Sequence, residues 1–209
     1  MLTLADLVAD MADAFTRADA LRPVATSQRG TRTYQPGIGP HAENAAVGLA
    51  LEQLRQVPRY ATVKLGQFLP YPGAPRQKCD MWLGDPLEWA IEVKMARFVG
   101  DNGRVDDMAV KDVLSPYAAD RSAVTDCTKL AEADFPCSKA LLIYGFDVPE
   151  RPLAVAVTAF ETLARTRVNL SEREEQPFGP LVHPFHSSGR LFGWEIRPVR
   201  SDSSGEYVA

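Results

Sequence analysis

Cysteine is scarce in this chain and dispersed: Cys79, Cys127 and Cys137 are its three, with no CxxC pair. An odd, scattered set argues against a disulfide framework and against a zinc knuckle. Each reads as a small buried residue. No apolar run reaches the ~18 residues that mark a membrane-crossing helix. The opening stretch, MLTLADLVADMADAF, carries Asp6 and Asp10 but no early basic residue, which is the pattern of an amphipathic helix and not of a signal peptide. A cytoplasmic protein is expected. Positive charge is not in excess either: 23 Lys and Arg stand against 27 Asp and Glu, a net charge of −4. That argues against non-specific coating of nucleic acid. It leaves room for a local basic groove, since acidic metal ligands count against the total. No glycine loop of the phosphate-cradling kind occurs, which weakens an enzyme acting on a small phosphorylated molecule.

What is present suits one domain over residues 1–200, followed by a tail, 201–209, that reads as disordered. Residues 3–20 place Leu4, Leu7, Val8, Met11 and Phe15 on one helical stripe. A polar, Gly/Pro-rich loop (22–41) leads to a second helix, 41–56, bounded by Pro40 and Pro58. Strands are predicted at 60–69, 78–84 and 88–95, the last two forming a hairpin around Asp85, Pro86 and Leu87. A turn at 100–105 precedes helices at 106–115 and 117–134. The nearly continuous apolar run 139–147 reads as a buried strand. A helix at 152–167, a charged loop at 168–179 and a closing hairpin, 181–187 with 190–198 around Ser188-Gly189, complete the order. A meander followed by a crossover helix and a buried strand is a mixed α/β sheet flanked by helices.

The chemistry concentrates in the 78–95 hairpin. A three-residue loop sets Trp82 opposite Ala90 and Asp80 opposite Glu92. Directly opposed side chains share a face, with Cβ atoms ~5 Å apart. Asp80, Glu92 and Lys94 then cluster on one face, while Met81, Leu83, Trp89, Ile91, Val93 and Met95 point to a core. A one-residue slip would turn the apolar side chains outward. Two opposed carboxylates repel unless something positive lies between them. Hard oxygen ligands suit Mg²⁺ or Mn²⁺. Lys94 alongside could orient or help deprotonate a water and stabilise a pentacovalent phosphate.

Asp80, eleven intervening residues, then Glu92-Val93-Lys94 resembles the signature of the PD-(D/E)XK nuclease superfamily, the restriction-endonuclease-like fold. The order of elements, αβββαβ over about residues 40–147, resembles that core too, here with an added N-terminal helix and C-terminal hairpin. Cys79 stands where the motif has proline. The resemblance implies a Mg²⁺-dependent endonuclease acting on DNA, in a context such as restriction, phage defence or repair. It implies Asp80 and Glu92 as metal ligands, the Val93 carbonyl completing the site and Lys94 as the catalytic lysine. Many members add an acid from the helix before the meander. Glu43 fits, on one stripe with Val47, Ala50 and Leu54; a favourable charge at a helix N-terminus is its plainer explanation.

Arg121, Lys129 and Tyr117, on or near the helix after the third strand, are candidate phosphate contacts. Solvated pairs with Asp120, Asp126 or Glu132 would equally account for the two cations. Arg22, Arg29 and Arg32 could form a substrate arm. His183 and His186, three apart in an expected strand, would point to opposite faces and not share a metal. Phe192 and Trp194 read as core. The N-terminal helix and C-terminal hairpin are candidate surfaces for a homodimer. The rival function is a nucleic-acid- or protein-binding module on the same fold, with an idle site.

Overall fold

The structure, a computed structural model, describes residues 2–27, 30–106 and 108–197, excepting the side chains of Met108 and Ala118. The predicted tail at 201–209 and Arg29 lie outside the described residues. Thr3 opens helix α1 (Leu4–Ala20) with a capping box: its hydroxyl accepts the Asp6 N–H at 3.1 Å and its own N–H reaches the Asp6 carboxylate at 3.2 Å. Caps of this kind contribute about 1 kcal/mol. The stripe Leu4, Leu7, Val8, Met11 and Phe15 is buried as predicted. Helix α2 (Glu43–Leu54) buries Ala46, Val47, Ala50, Leu51 and Leu54.

Three antiparallel strands follow: β1 (Leu65–Tyr71), β2 (Ala74–Leu83) and β3 (Trp89–Ala96). The strand expected from residue 60 starts later. Pro58–Tyr60 forms a short 3-10 helix, and the buried Tyr60 hydroxyl donates to Asp10 of α1 at 2.9 Å, so pairing begins only at Leu65 with Leu83. β2 starts earlier than expected, at Ala74, because Gly73, at φ 73°, lets the chain turn back at once. Next come α3 (Met108–Leu114), α4 (Ala123–Glu132), β4 (Ser138–Phe146), α5 (Leu153–Ala164), β5 (Asn169–Leu170), β6 (Glu174–Phe178) and β7 (Gly189–Arg197).

The result is a mixed seven-stranded sheet in the order β1-β2-β3-β4-β7-β5, with β6 also paired to β7. β3 and β4 run parallel at its centre; every other pair is antiparallel. Parallel neighbours need a crossover, and α3 and α4 supply it. Helices α1 and α2 cover one face, packing on Met81, Leu83, Ile91, Val93, Leu142 and Tyr144. Helices α3, α4 and α5 cover the other, over Ala90, Leu141, Ile143, Phe192 and Trp194. Among the described residues no helix is long and apolar enough to cross a membrane.

Two further expectations need correction. The helix predicted over 117–134 is split: Arg121 takes a left-handed conformation (φ 51°), and Ser122 caps a new start by accepting the Thr125 N–H at 3.3 Å. The closing hairpin is built differently. β7 pairs with β6, from the stretch read as a charged loop, while 181–187 is not a strand. Pro184 removes a ladder donor there. The Leu181 N–H instead closes the segment on Ser187 O at 2.7 Å. His183 and His186 are therefore not on opposite strand faces; their buried rings stack at 4.5 Å. β6 escaped notice because Glu174, Glu175 and Gln176 are polar, with only Phe178 buried as an anchor.

Candidate active site

The β2–β3 ladder pairs Leu83 with Trp89, Trp82 with Ala90 and Met81 with Ile91, the register that the loop length predicts, with Asp80 and Glu92 next in line. At that point the backbone pairing stops. The next two β3 donors on this side turn to carboxylates: Val93 N–H reaches Asp80 Oδ2 at 2.8 Å, and Met95 N–H reaches Glu43 Oε2 at 2.6 Å. A buried N–H needs an acceptor, and the ladder's early end lets acidic side chains fill that role. The main chain of β3 thereby fixes both carboxylates beside Lys94.

β2 is also bent here. Cys79 is buried under α3, α4 and α5, while Met81 is buried under α1 and α2. Residues two apart on a regular strand would share a face. Phe68, facing Asp80 between the pairs Gln67–Met81 and Leu69–Cys79, sits at φ 63°, an unusual conformation for a bulky side chain. The irregularity thus lies at the residue that carries the first carboxylate.

Glu92 is only 2% exposed. Its Oε1 accepts the Tyr71 hydroxyl at 2.5 Å and lies 2.5 Å from Lys129 Nζ. Lys129 also reaches Asp126 Oδ1 at 2.9 Å and sits 4.8 Å from the centre of the Tyr71 ring. Lys94 Nζ lies 3.0 Å from Asp126 Oδ2 and 3.8 Å from Glu43 Oε1. Carboxyl and ammonium groups therefore alternate along Glu43, Lys94, Asp126, Lys129 and Glu92, with Asp80 added beside Glu92.

This arrangement has more carboxyls than ammonium groups, and the proton equilibria follow. Burial pushes the Glu43 carboxyl up to about 7; Asp80 and Asp126 add to the shift and Lys94 opposes it. Burial likewise drives Glu92 far above the ordinary carboxylate range, reinforced by Asp126 and Asp80, and Lys129 does not outweigh them. Burial alone would lower the Lys94 ammonium, but Glu43 and Asp126 overcome it and hold the group charged. The Tyr71 phenol is raised by burial and by Glu92, so it remains a donor.

These groups open on a cleft of about 780 Å³ between β2 and α4. Asp80, Glu92 and Lys94 all line it, Glu43 reaches Lys94 from α2, and Val93 contributes main chain. Of the predicted phosphate contacts, Arg121 borders the cleft, while Lys129 is engaged with Glu92 and Asp126. Tyr117, 72% exposed, and Arg32, paired with Asp101 at 2.9 Å, are not among its lining residues. Sequence reasoning missed Tyr71 and the structural weight of Asp126. Asp126 had left a signal, as an acid on the otherwise apolar α4 stripe Ala123, Cys127 and Leu130. Tyr71, at a strand end, left none.

Among the described residues no group of three or more His, Cys, Asp or Glu side chains is arranged to hold a metal ion. Asp80 and Glu92 nevertheless set two hard oxygen donors side by side, and Mg²⁺ commonly takes one or two carboxylates while keeping several waters. The crowding that raises Glu92 is the kind that a divalent cation relieves. Comparisons with protein-family models, with curated proteins and with solved structures returned no match.

Proposed function

We propose that this chain is a Mg²⁺- or Mn²⁺-dependent endonuclease of restriction-endonuclease-like fold that hydrolyses phosphodiester bonds of DNA. The observation that carries the reading is the constellation of Asp80, Glu92, Glu43 and Lys94 about the edge of β3, where carboxylates replace strand pairing. The succession α2, β1, β2, β3, then the two helices α3 and α4, then β4 supports it, with β4 parallel to β3. Asp80 and Glu92, with the Val93 carbonyl and Glu43, would hold the ion. A cation bound there supplies Lewis-acid stabilisation of phosphoryl oxygens and lowers the pKa of a bound water.

The chain's own residues carry the rest. Asp126 and Glu43 hold Lys94 as an ammonium, so its role is electrostatic: it orients the attacking water and stabilises charge on the phosphate. Glu43, held by the Met95 N–H at 2.6 Å, would assist at the ion directly or through a water. Cleavage leaves a 5′-phosphate. One site cuts one strand, so a double-strand break requires a homodimer or two encounters.

One observation favours the rival reading of an idle binding module: Lys129 already occupies a Glu92 oxygen at 2.5 Å. Incubation with plasmid and with single-stranded DNA in Mg²⁺ or Mn²⁺, then in chelator, separates the two. Metal-dependent cutting that is lost in Asp80→Asn and Lys94→Ala is expected. Cutting that survives both substitutions would remove the site assignment, and no cutting together with no metal binding would favour the module.

A further inference from the structure

Among the described residues, the cleft's cations outside the carboxylate network make no ion pair. Arg76 and Lys78 lie on β2, Arg121 lies just before α4 and Arg167 follows α5; all four border the cleft. None of them makes an ion pair among the described residues. Most other cations are committed: Arg59 to Asp6 and Asp10, Lys111 to Asp120, Arg190 to Asp147 and Glu175. In a chain with a net charge of −4, four unneutralised cations around one cleft invite an anionic ligand.

Their number and spread say what kind. Arg76, Gln77, Lys78 and Asp80 all line the cleft from β2. A single phosphate needs one cation beside the carboxylates; several cations spread along the cleft beyond Asp80 suit a polymer of phosphates. Arg121 and Arg167 add cations that β2 does not carry.

We infer that Arg76 and Lys78 form a backbone track that binds successive phosphates of an oligonucleotide strand laid along β2, next to the phosphodiester at Asp80. The inference rests on the phosphodiesterase reading and deepens it: the ligand is a strand of several nucleotides, not a mononucleotide, and it is held by charge without base recognition. Arg121 and Arg167 steady the same strand.

The test is fluorescence anisotropy of a labelled single-stranded DNA oligonucleotide with the full-length protein in chelator, so that nothing is cut. The wild type should bind the oligonucleotide far more tightly than it binds a competing mononucleotide. Its affinity should fall steeply with salt. Losing two phosphate contacts on a single strand changes the slope of log affinity against log salt by about 1.4. Arg76→Ala/Lys78→Ala should show that loss and a several-fold weaker affinity, and Lys78→Glu a larger one. Arg55→Ala, on the far end of α2, should change neither. A mononucleotide that competes as well as the oligonucleotide, or an unaltered salt slope in the double variant, would overturn the track. Track-dependent binding without cutting in Mg²⁺ or Mn²⁺ would uphold it while sinking the nuclease reading. Cutting that is indifferent to Arg76 and Lys78 would do the reverse.

Discussion

Lys94 of β3 and Asp126 of α4 form a buried ion pair, Nζ to Oδ2 3.0 Å, that joins the sheet to the crossover helix beneath the cleft. Their side chains are 13% and 6% exposed. Removing one partner of such a pair leaves a charge without its counter-charge, which costs about 3 kcal/mol or more. Lys94→Met should therefore destabilise the fold as well as abolish turnover. Asp126 keeps Lys129 at 2.9 Å, which places the loss at the lower end of that range. Asp126→Asn in the Lys94→Met background should recover at least about 1 kcal/mol in urea unfolding. Additive losses in the double variant would mean that the pair contributes no coupling.

The pH dependence follows from Glu43. Its carboxyl is raised from 4.5 to about 7, chiefly by burial. A raised carboxyl favours the protonated form in the folded state. Its stabilisation is fully present below pH ~4.5 and is lost as pH rises through about 7. Glu92 shifts in the same direction. Glu43→Gln keeps an oxygen for the Met95 N–H and removes the titration. In chelator, the variant should gain about 1–3 kcal/mol on the wild type between pH 5 and pH 8. A constant difference across that range would show that Glu43 titrates normally.

The α/β class, the order of the main elements and the register of the β2–β3 hairpin as far as Met81 and Ile91 were legible in the sequence, because strand periodicity and a three-residue loop are local signals. Opposite faces of β3 did separate Val93 from Glu92 and Lys94. What stayed hidden depends on tertiary contacts. The irregularity at Asp80 faces Phe68, at φ 63°, across the ladder. β6 is too polar to read as a strand, yet β7 supplies its pairing. Lys129 resembled a surface cation because its partners, Glu92 and Tyr71, lie 37 and 58 positions away along the chain.

Lys129 predicts a particular response to divalent cation. Its ammonium lies 2.5 Å from Glu92 and 2.9 Å from Asp126, contacts that a bound ion would compete for. Lys129→Met should lower stability in chelator by about 1–3 kcal/mol, since the buried Glu92 and Asp126 oxygens lose an ammonium partner. Mg²⁺ should then restore more stability to the variant than it adds to the wild type, because ligands that bind only the folded state stabilise it. Thermal unfolding with and without saturating Mg²⁺ measures the difference. Equal Mg²⁺-induced shifts in Tm would show that the lysine and the ion do not compensate for one another.

Asp80→Asn separates structure from chemistry most cleanly. The asparagine carbonyl can still accept the Val93 N–H that Asp80 takes at 2.8 Å, so the stability change in chelator should stay within about 1 kcal/mol. The loss of charge beside Glu92 even relieves repulsion there. The proposed site, however, loses one of its two adjacent carboxylates. Isothermal titration should show Mg²⁺ affinity falling at least tenfold, about 1.4 kcal/mol, and DNA cleavage falling about a hundredfold or more, which is ~2.7 kcal/mol in the barrier. Asp80→Asn that unfolds would make Asp80 a structural acceptor first. A folded variant with undiminished Mg²⁺ affinity would place the ion elsewhere.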